Sequence, residues 1–256
     1  MYPALFRIGD IAISSYIVML IIGFVVAYLL CIGEFKRKGL SESLLDLLFA
    51  ACVMGGIIGS KILSLIEEVS LGDLIADPIR YLSSGFTGLG GFVGVVILVW
   101  VIVRLKKVNF WLVTDAMAPT VMIYAIARIG CFLVGDDYGI PSNLPWAMSF
   151  PEGSPPTDEK VHPTQIYEAL ITFGIFVYIW KIRKKDMPIG WLTAIVFLLA
   201  GAERFLVEFI RNTQPSFIPG ISVAQLMSLG LIVAGVLKLL QLRAHERKKP
   251  KLKVKK

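Results

Sequence analysis

Five charged residues interrupt long apolar stretches of this chain, and their types suit the binding of an anion. They are Arg128, Glu168, Arg204, Glu208 and Arg211. A charged side chain at the centre of a bilayer costs about 2.5–3.5 kcal/mol on insertion scales, so such residues usually pair, face a wet cavity and mark a site. Clustered guanidinium groups opposite carboxylates are well suited to hold a phosphate. The five residues therefore predict a membrane protein that handles an anionic headgroup.

The spacing of three of these residues predicts a shared helical face. Arg204, Glu208 and Arg211 are separated by four and three residues, which places them on one side of a helix. The same spacing permits a purely structural alternative, a ladder of ion pairs along that helix. The alternative is weakened because Arg128 and Glu168 must be accommodated at the same depth.

The composition is that of an integral membrane protein. The chain has 256 residues, of which 56% are hydrophobic, and a mean hydropathy of +0.73. A helix that crosses a bilayer needs about 20 apolar residues. Seven stretches meet or approach this length: 12–33, 44–65, 86–103, 110–134, 164–180, 190–210 and 222–241. We therefore predict an all-α integral membrane protein with seven transmembrane helices.

The charges are segregated along the chain, so the net charge of +7 does not indicate binding to nucleic acid. Basic clusters follow the first, third and fifth predicted spans and form the C-terminal tail, whereas the loops between them are acidic or mixed. Because cytoplasmic loops carry the excess of Lys and Arg, the N-terminus is predicted outside and the C-terminus in the cytoplasm. Residues 1–242 then form the membrane domain, including an outside loop at 135–161, and residues 243–256 form a basic cytoplasmic tail.

With this topology, the unusual polar residues collect at the outer ends of the spans. Tyr16 lies near the outer end of the first span and Lys61 in the outer half of the second. His162 precedes Pro163, which predicts a helix start with the proline in the first helical position and the histidine as a cap. A capping or interfacial role for His162 stands beside a functional one.

Other features of the chain have a structural interpretation as well as a functional one. Gly85, Gly88, Gly90 and Gly91 open the third span, where they either allow close helix packing or free backbone N–H groups for an anion. The long outside loop is a candidate lid. The three cysteines are Cys31, Cys52 and Cys131; they lie within predicted spans without paired spacing, which indicates packing thiols.

Three segments, in this order, resemble the prolipoprotein diacylglyceryl transferases of bacteria. They are Arg128-Ile129-Gly130 through Gly139, His162-Pro163-Thr164-Gln165-Ile166-Tyr167-Glu168, and Glu203-Arg204-Phe205-Leu206-Val207-Glu208-Phe209-Ile210-Arg211. The resemblance implies an enzyme of the bacterial cytoplasmic (inner) membrane that uses no metal or cofactor. It would move the diacylglyceryl group of phosphatidylglycerol to the lipobox cysteine thiol of a prolipoprotein signal peptide and release glycerol phosphate.

The resemblance also implies roles for individual residues around the donor lipid. Arg128 and Arg204 would hold the phosphate and stabilise the charge of the departing phosphodiester. The residues that would orient these arginines and the glycerol are Gln165, Tyr167, Glu168 and Glu208. The residues that would complete the phosphatidylglycerol site are Tyr16, which lines the lipid pocket, and Lys61, Gly90, Gly91 and Gly139.

Five positions depart from the family pattern. Lys61 stands where an arginine is expected, and Asp136 stands where the family has a glutamate. Leu89 replaces a histidine that is a favoured candidate for activating the acceptor thiol. Cys131 replaces an asparagine, and Val134 replaces a second polar residue. The half of the site that holds the donor phosphate is therefore intact, whereas the half that activates the thiol is altered.

Two hypotheses follow for the thiol, because a thiol with a pKa of about 8.5 needs assistance at neutral pH. In the first, His162 or Asp136 serves as the base. In the second, the arginine cluster lowers the pKa of the substrate thiol without a dedicated base. Two functional alternatives also stay open: the same donor with a different acceptor, and a transporter of an anionic solute. The absence of an internal repeat argues against a transporter.

Overall fold

The structure, a computed structural model, describes residues 2–9, 11–68, 87–211 and 220–248. Several sequence predictions fall outside these ranges. They are most of the acidic loop between the second and third predicted spans, the glycine Gly85, and the part of the basic tail after residue 248.

Each of the seven predicted spans overlaps at least one helix, and several of these helices extend beyond the predicted bounds. The helices are α1 (Ser15–Arg37), α2 (Glu42–Glu68), α3 (Gly88–Leu105), α4 (Phe110–Ala116), α5 (Val121–Val134), α6 (Thr164–Ile182), α7 (Trp191–Val207) and α8 (Val223–Lys248). Among the described residues, five of these helices are long and apolar enough to cross a membrane, and a bent pair formed by α4 and α5 gives a sixth. The chain is therefore a mostly helical protein with five or six candidate membrane-spanning helices.

Two short antiparallel hairpins accompany the helices and were not predicted. Strands β1 (Ala4–Ile8) and β2 (Ile11–Ser14) precede α1, and strands β3 (Met148–Phe150) and β4 (Thr157–Val161) lie in the loop between α5 and α6. The first predicted span therefore begins too early. Ile11–Ser14 alternates large and small residues, a pattern that suits a strand, and Gly9 adopts the left-handed φ of +59° that the turn requires.

The fourth predicted span, 110–134, is broken rather than continuous. The axes of its two helical parts differ by 48°. A 3-10 turn, Ala118–Thr120, lies between them. Pro119 explains the break, since proline lacks a backbone N–H and its ring clashes with the carbonyl four residues earlier. The bend leaves α5 as a separate 14-residue helix that carries Arg128 near its end.

The described residues fall into two compact units. In the unit formed by residues 32–113, α2 and α3 pack through glycines. A Cβ atom on Gly59 would lie 2.3 Å from the carbonyl oxygen of Gly90, and one on Gly94 would lie 2.2 Å from that of Gly55. The close-packing interpretation of Gly90 is therefore confirmed, whereas Gly88 has open space around it.

The other unit contains residues up to Cys31 and from Thr114 onward, and it holds α5, α6, α7 and α8. The start of α7 is fixed by Asp115, a buried residue of α4. Its carboxylate accepts hydrogen bonds from the backbone N–H groups of Gly190 (2.7 Å) and Thr193 (2.8 Å). This cap from a neighbouring helix holds the N-terminus of the helix that presents Arg204 at its other end.

Candidate anion-binding site

Three arginines converge on one buried carboxylate, that of Glu168 in the second turn of α6. The Glu168 side chain is 0% exposed. Its Oε2 lies 2.9 Å from Arg128 Nε, and its Oε1 lies 3.3 Å from Arg204 Nη1 and 3.6 Å from Arg211 Nη1. The sequence prediction that Arg128, Glu168 and Arg204 lie together is therefore confirmed.

Arg128, at the C-terminal part of α5, is held on several sides. Its Nη1 donates to Asp137 Oδ2 at 2.7 Å and to the Cys131 thiol at 3.6 Å. Its Nη2 donates to the Tyr124 hydroxyl at 2.8 Å, and the guanidinium carbon lies 4.7 Å from the centre of the Tyr124 ring. These contacts fix both the position and the plane of the guanidinium group.

The predicted face of Arg204, Glu208 and Arg211 is only half right. Arg204 Nη1 and Glu208 Oε2 form the expected i,i+4 ion pair at 2.7 Å. However, α7 ends at Val207, and the chain tightens into a 3-10 turn over Glu208–Ile210. Arg211 is consequently extended, with φ −93° and ψ 144°, and forms ion pairs with Asp137 and Glu168. The sequence could not show this because residue spacing alone does not reveal where a helix ends.

Asp137 joins two of the arginines and was not among the predicted site residues. Burial acts to raise the pKa of Asp137, but the charges of Arg211 and Arg128 outweigh it and hold that pKa below its ordinary value. Its neighbour Asp136, which was predicted, has a raised pKa because of burial and the nearby charge of Asp137. The positive φ of Asp137, 59°, is the local backbone signature of this turn.

The start of α6 holds this acidic turn in place. The Gln165 side chain donates from Nε2 to the Asp136 carbonyl oxygen at 2.6 Å, and the Thr164 hydroxyl donates to the Asp137 carbonyl oxygen at 2.8 Å. Gln165 thus contacts the loop backbone, a positioning contact that spacing alone did not predict. Both side chains are fully buried at 0% exposure.

Gly139 allows the loop after α5 to approach its neighbours closely. A Cβ atom there would lie 2.4 Å from the Ile210 carbonyl oxygen and 2.8 Å from the Cβ atom of His162. Its N–H donates to the His162 carbonyl oxygen at 2.9 Å. Gly139 therefore has a packing role; the lipid-binding role expected of it stays a prediction.

The capping role expected of His162 is wrong. Pro163 occupies the N-cap position of α6, which begins at Thr164, and the cap has no side-chain hydrogen bond. The His162 ring instead lies against Tyr167, with its Nδ1 3.4 Å from the tyrosine hydroxyl oxygen. That hydroxyl also accepts a 2.6 Å hydrogen bond from the indole N–H of Trp146. His162, Tyr167 and Trp146 thus form an aromatic group at the start of α6.

The remaining predicted residues lie in different places. Tyr16, in the first turn of α1, lies beside Gly130, where an added Cβ atom would be 3.0 Å from the Tyr16 Cα. It therefore contacts α5 two residues beyond Arg128. Lys61 belongs to α2 in the other unit, and Gly90 and Gly91 belong to α3 there. Their contribution to one phosphatidylglycerol site stays a prediction.

Several buried polar atoms in this region have no hydrogen-bond partner. Among the described residues they are Arg128 Nε, Asp136 Oδ1, Gln165 Oε1, Glu168 Oε2, Glu203 Oε1, Glu208 Oε2 and Arg211 Nη1. Native proteins leave few such groups, and each calls for an explanation such as a ligand, a catalytic role or bound water. Their concentration around the arginines marks this cluster as the candidate site.

A metal ion fits the cluster poorly. Cys131, Asp136 and Asp137 could each supply a ligand atom, and these atoms lie within 4.8 Å of one another. However, the Arg128 guanidinium already donates to Cys131 and Asp137, and Arg211 pairs with Asp137. Two fixed positive charges would oppose a cation there, and they favour an anion instead.

The fold and the site together define a helical membrane protein with a buried arginine–carboxylate cluster suited to an anionic ligand. Residues 3–241 match the family described as prolipoprotein diacylglyceryl transferase. The phosphatidylglycerol–prolipoprotein diacylglyceryl transferase of Clostridium tetani is 31% identical over 242 residues, which cover 92% of this chain and 96% of the relative. The protein of the same description from Finegoldia magna is 34% identical over 242 residues, covering 91% and 92%. This chain belongs to the prolipoprotein diacylglyceryl transferase family.

Family membership confirms the resemblance and the classification of the chain as a transferase. It also argues against the alternative of an anion transporter, since the match extends over nearly the whole chain. A third relative of the same description, from Azoarcus sp., is 31% identical over 264 residues, 96% of each chain.

The Asp137 ion pairs generate a prediction about pH. The folded-state pKa of Asp137 is lowered, so its ionised form stabilises the folded protein. This contribution to the free energy of unfolding is fully present above the ordinary pKa of 3.8 and is lost as the pH falls through the lower folded value. Asp137→Asn should therefore reduce the stability of the protein in detergent by about 1 kcal/mol at pH 7. Thermal unfolding from pH 7 downward should show this difference shrinking in acid.

Asp158→Asn is the matched control, since Asp158 lies on β4 with an exposed side chain. The control should unfold like the wild type at every pH. A difference between Asp137→Asn and wild type that stays constant into acid would contradict the assignment of Asp137 as the ionised partner of the two arginines.

Proposed function

We propose that this chain transfers the diacylglyceryl group of phosphatidylglycerol to the lipobox cysteine thiol of a prolipoprotein. The observation that carries the proposal is the convergence of Arg128, Arg204 and Arg211 on the buried Glu168 carboxylate. Family membership supplies the reaction class, because the relatives are described as phosphatidylglycerol–prolipoprotein diacylglyceryl transferases.

The reaction requires a carbon–sulfur bond to form and a carbon–oxygen bond to break. The acceptor sulfur attacks the glycerol carbon that bears the phosphate ester, and the electrons of the breaking bond pass to the phosphate oxygen. Glycerol phosphate leaves with the added negative charge, and the thiol proton passes to a base. Fixed guanidinium groups close to the leaving phosphate oxygen would stabilise the negative charge as it develops there.

Arg204 is the arginine best placed to meet the phosphate. Its side chain is 22% exposed, compared with 10% for Arg128 and 6% for Arg211. Glu168 and Glu208 both contact the same nitrogen of Arg204, Nη1. The carboxylates thus orient the guanidinium group from one edge, and Arg128 and Arg211 contact the same Glu168 carboxylate.

Asp136 is better supported as the thiol base than His162. Its Oδ1 is buried without a hydrogen-bond partner, and its pKa is raised by burial and by Asp137. It also lines a polar pocket of about 180 Å³ with Asp137, Tyr138, Ser154 and Pro155. His162, by contrast, contacts Tyr167. A carboxylate with a raised pKa is a stronger proton acceptor than an ordinary one.

We further propose that the chain crosses the bacterial inner membrane seven times, with its N-terminus outside and its basic tail in the cytoplasm. Support comes from the basic clusters, which follow the first, third and fifth predicted spans. Single cysteines placed at Glu159 and Lys184 in a cysteine-free background would test this orientation. Reaction of the Lys184→Cys variant with an impermeant thiol reagent in intact cells would contradict it.

A second candidate function keeps the donor lipid and changes the acceptor. The observation that favours it is Leu89, which stands in the first turn of α3 where the family resemblance implies a histidine. Leu89 lines an apolar groove of about 460 Å³ between α2 and α3 and offers no proton acceptor. A retained donor site, together with an altered thiol-activating position, is compatible with another nucleophile.

Complementation separates the two candidates. The chain, expressed in a bacterial strain depleted of its own diacylglyceryl transferase, should restore the lipid-modified form of a reporter lipoprotein, detected by mass spectrometry of the modified cysteine. Well-expressed protein that consumes phosphatidylglycerol without modifying the reporter would support the second candidate. Protein that does neither would contradict both.

Arg204→Lys tests the role of a planar guanidinium group. Lysine keeps the positive charge but loses the paired donors, so kcat should fall about tenfold to a hundredfold. The measurement is the steady-state kinetics of the purified enzyme in detergent, with phosphatidylglycerol and a lipobox peptide as substrates. Arg243→Lys, at the exposed end of α8, is the control and should retain wild-type kcat. Unchanged kcat in Arg204→Lys would show that paired phosphate recognition at this position is wrong.

Asp136 and His162 can be compared directly as bases. Asp136→Asn should lower the rate of thiol alkylation by about a hundredfold, within the usual range for loss of a general base. Asp136→Glu should retain most of the activity because it keeps the carboxylate, and His162→Ala should have a small effect. Full activity in both Asp136→Asn and His162→Ala would favour activation of the thiol by the arginine cluster alone.

A further inference from the structure

Tyr124 contacts both Arg128 and Glu168 and has no role in the proposed reaction. It lies on α5, one helical turn before Arg128. Its hydroxyl accepts a hydrogen bond from Arg128 Nη2 at 2.8 Å and donates one to Glu168 Oε1 at 2.9 Å. A guanidinium group can only donate, so the hydroxyl accepts from Arg128 and its own hydrogen is available for Glu168.

The direct contact between Arg128 and Glu168 lacks this alignment. Arg128 Nε and Glu168 Oε2 are 2.9 Å apart, yet both atoms are buried without a hydrogen-bond partner. The pair is therefore close in distance but wrongly angled for a hydrogen bond. Among the described residues, the aligned link between the two side chains passes through the Tyr124 hydroxyl.

The same link reaches Arg204. Glu168 Oε1, which accepts from Tyr124, also accepts from Arg204 Nη1 at 3.3 Å. The two arginines proposed to hold the donor phosphate are thus joined through one hydroxyl and one carboxylate oxygen. A hydrogen-bonded chain of this kind in a buried site restricts each member more strongly than separate contacts would.

We propose that Tyr124 is a positioning residue for the transferase reaction, fixing the guanidinium plane of Arg128 relative to Glu168 and Arg204. The inference rests on the proposed function. The aromatic ring of Tyr124 has a second role in this proposal, because the Arg128 guanidinium carbon lies 4.7 Å from the ring centre. The ring supports the face of the guanidinium group, and the hydroxyl sets its rotation.

Tyr124→Phe separates these two parts, since it keeps the ring and removes the hydroxyl. It should lower kcat about tenfold to a hundredfold, the usual result of a small misplacement of a catalytic group. KM for phosphatidylglycerol should change less than about threefold, because the guanidinium charge remains in the site. Tyr178→Phe is the matched control; Tyr178 lies on α6 with 48% of its surface exposed, and its variant should behave like wild type.

A double-mutant cycle tests whether Tyr124 acts through Glu168. In a Glu168→Gln background, Tyr124→Phe should lower kcat by less than about twofold, because the link is already disrupted. If the reductions in kcat caused by Tyr124→Phe and by Glu168→Gln multiply in the double variant, the proposal is overturned. Wild-type kcat in Tyr124→Phe would also overturn it. A Tyr124→Phe protein that cannot be purified in a folded state would also overturn it, since the hydroxyl would then serve folding itself.

The cycle also distinguishes this inference from the proposed function. A wild-type protein without transferase activity would contradict the proposed function. An active wild type with an equally active Tyr124→Phe variant would contradict the positioning role alone. Wild-type kcat in Tyr124→Phe with a low kcat in Tyr124→Leu would assign the effect to the ring and reject the hydroxyl link.

Discussion

The buried carboxylate of Glu168 is the interaction on which the rest of the site depends. Burying a charge is unfavourable unless opposite charges and hydrogen bonds compensate for the lost water, and breaking a buried pair costs about 3–5 kcal/mol. Glu168 faces three guanidinium groups, so the cluster carries excess positive charge around its centre. Asp137 and Glu208 offset that excess at its edges, so that three carboxylates face the three guanidinium groups. The arrangement keeps the arginines together.

Four short chain features bring these side chains to one place, and none of them is a long regular helix. Gly135 ends α5 in the left-handed conformation, with φ 78°, and turns the chain towards the two aspartates. Gln165 holds the backbone of that turn from α6. The 3-10 turn after α7 releases Arg211 from the helix, and Gly139 lets the loop come within hydrogen-bonding distance of the same segment. The membrane helices provide the burial, and these irregular ends provide the geometry.

The sequence predicted the chemistry of the site better than its connections. Arg128, Glu168 and Arg204 stand out because a charge within an apolar stretch needs a partner, a rule that depends on composition alone. Asp137 and Tyr124 carry no such signal: an aspartate next to another in a polar loop, and a tyrosine within a span, are ordinary residues. The bend at Pro119 and the two hairpins were missed for a related reason. Apolar content reveals the span, whereas the break and the short strands depend on local backbone geometry.

Arg128 and Arg204 differ in how many of their N–H donors are bonded within the protein. Arg128 directs one nitrogen to Asp137 and Cys131 and another to Tyr124, and its Nε lies against Glu168. Most of its hydrogen-bonding capacity is therefore engaged within the protein. Arg204 is more exposed, and both of its carboxylate partners contact one nitrogen. On the proposed function, a phosphate would thus meet Arg204 first, while Arg128 keeps the fixed orientation that its internal hydrogen bonds give it. On this view the tight fixing of Arg128 is what allows Arg204 to remain available, because Glu168 needs a permanent partner whether or not the donor lipid is bound.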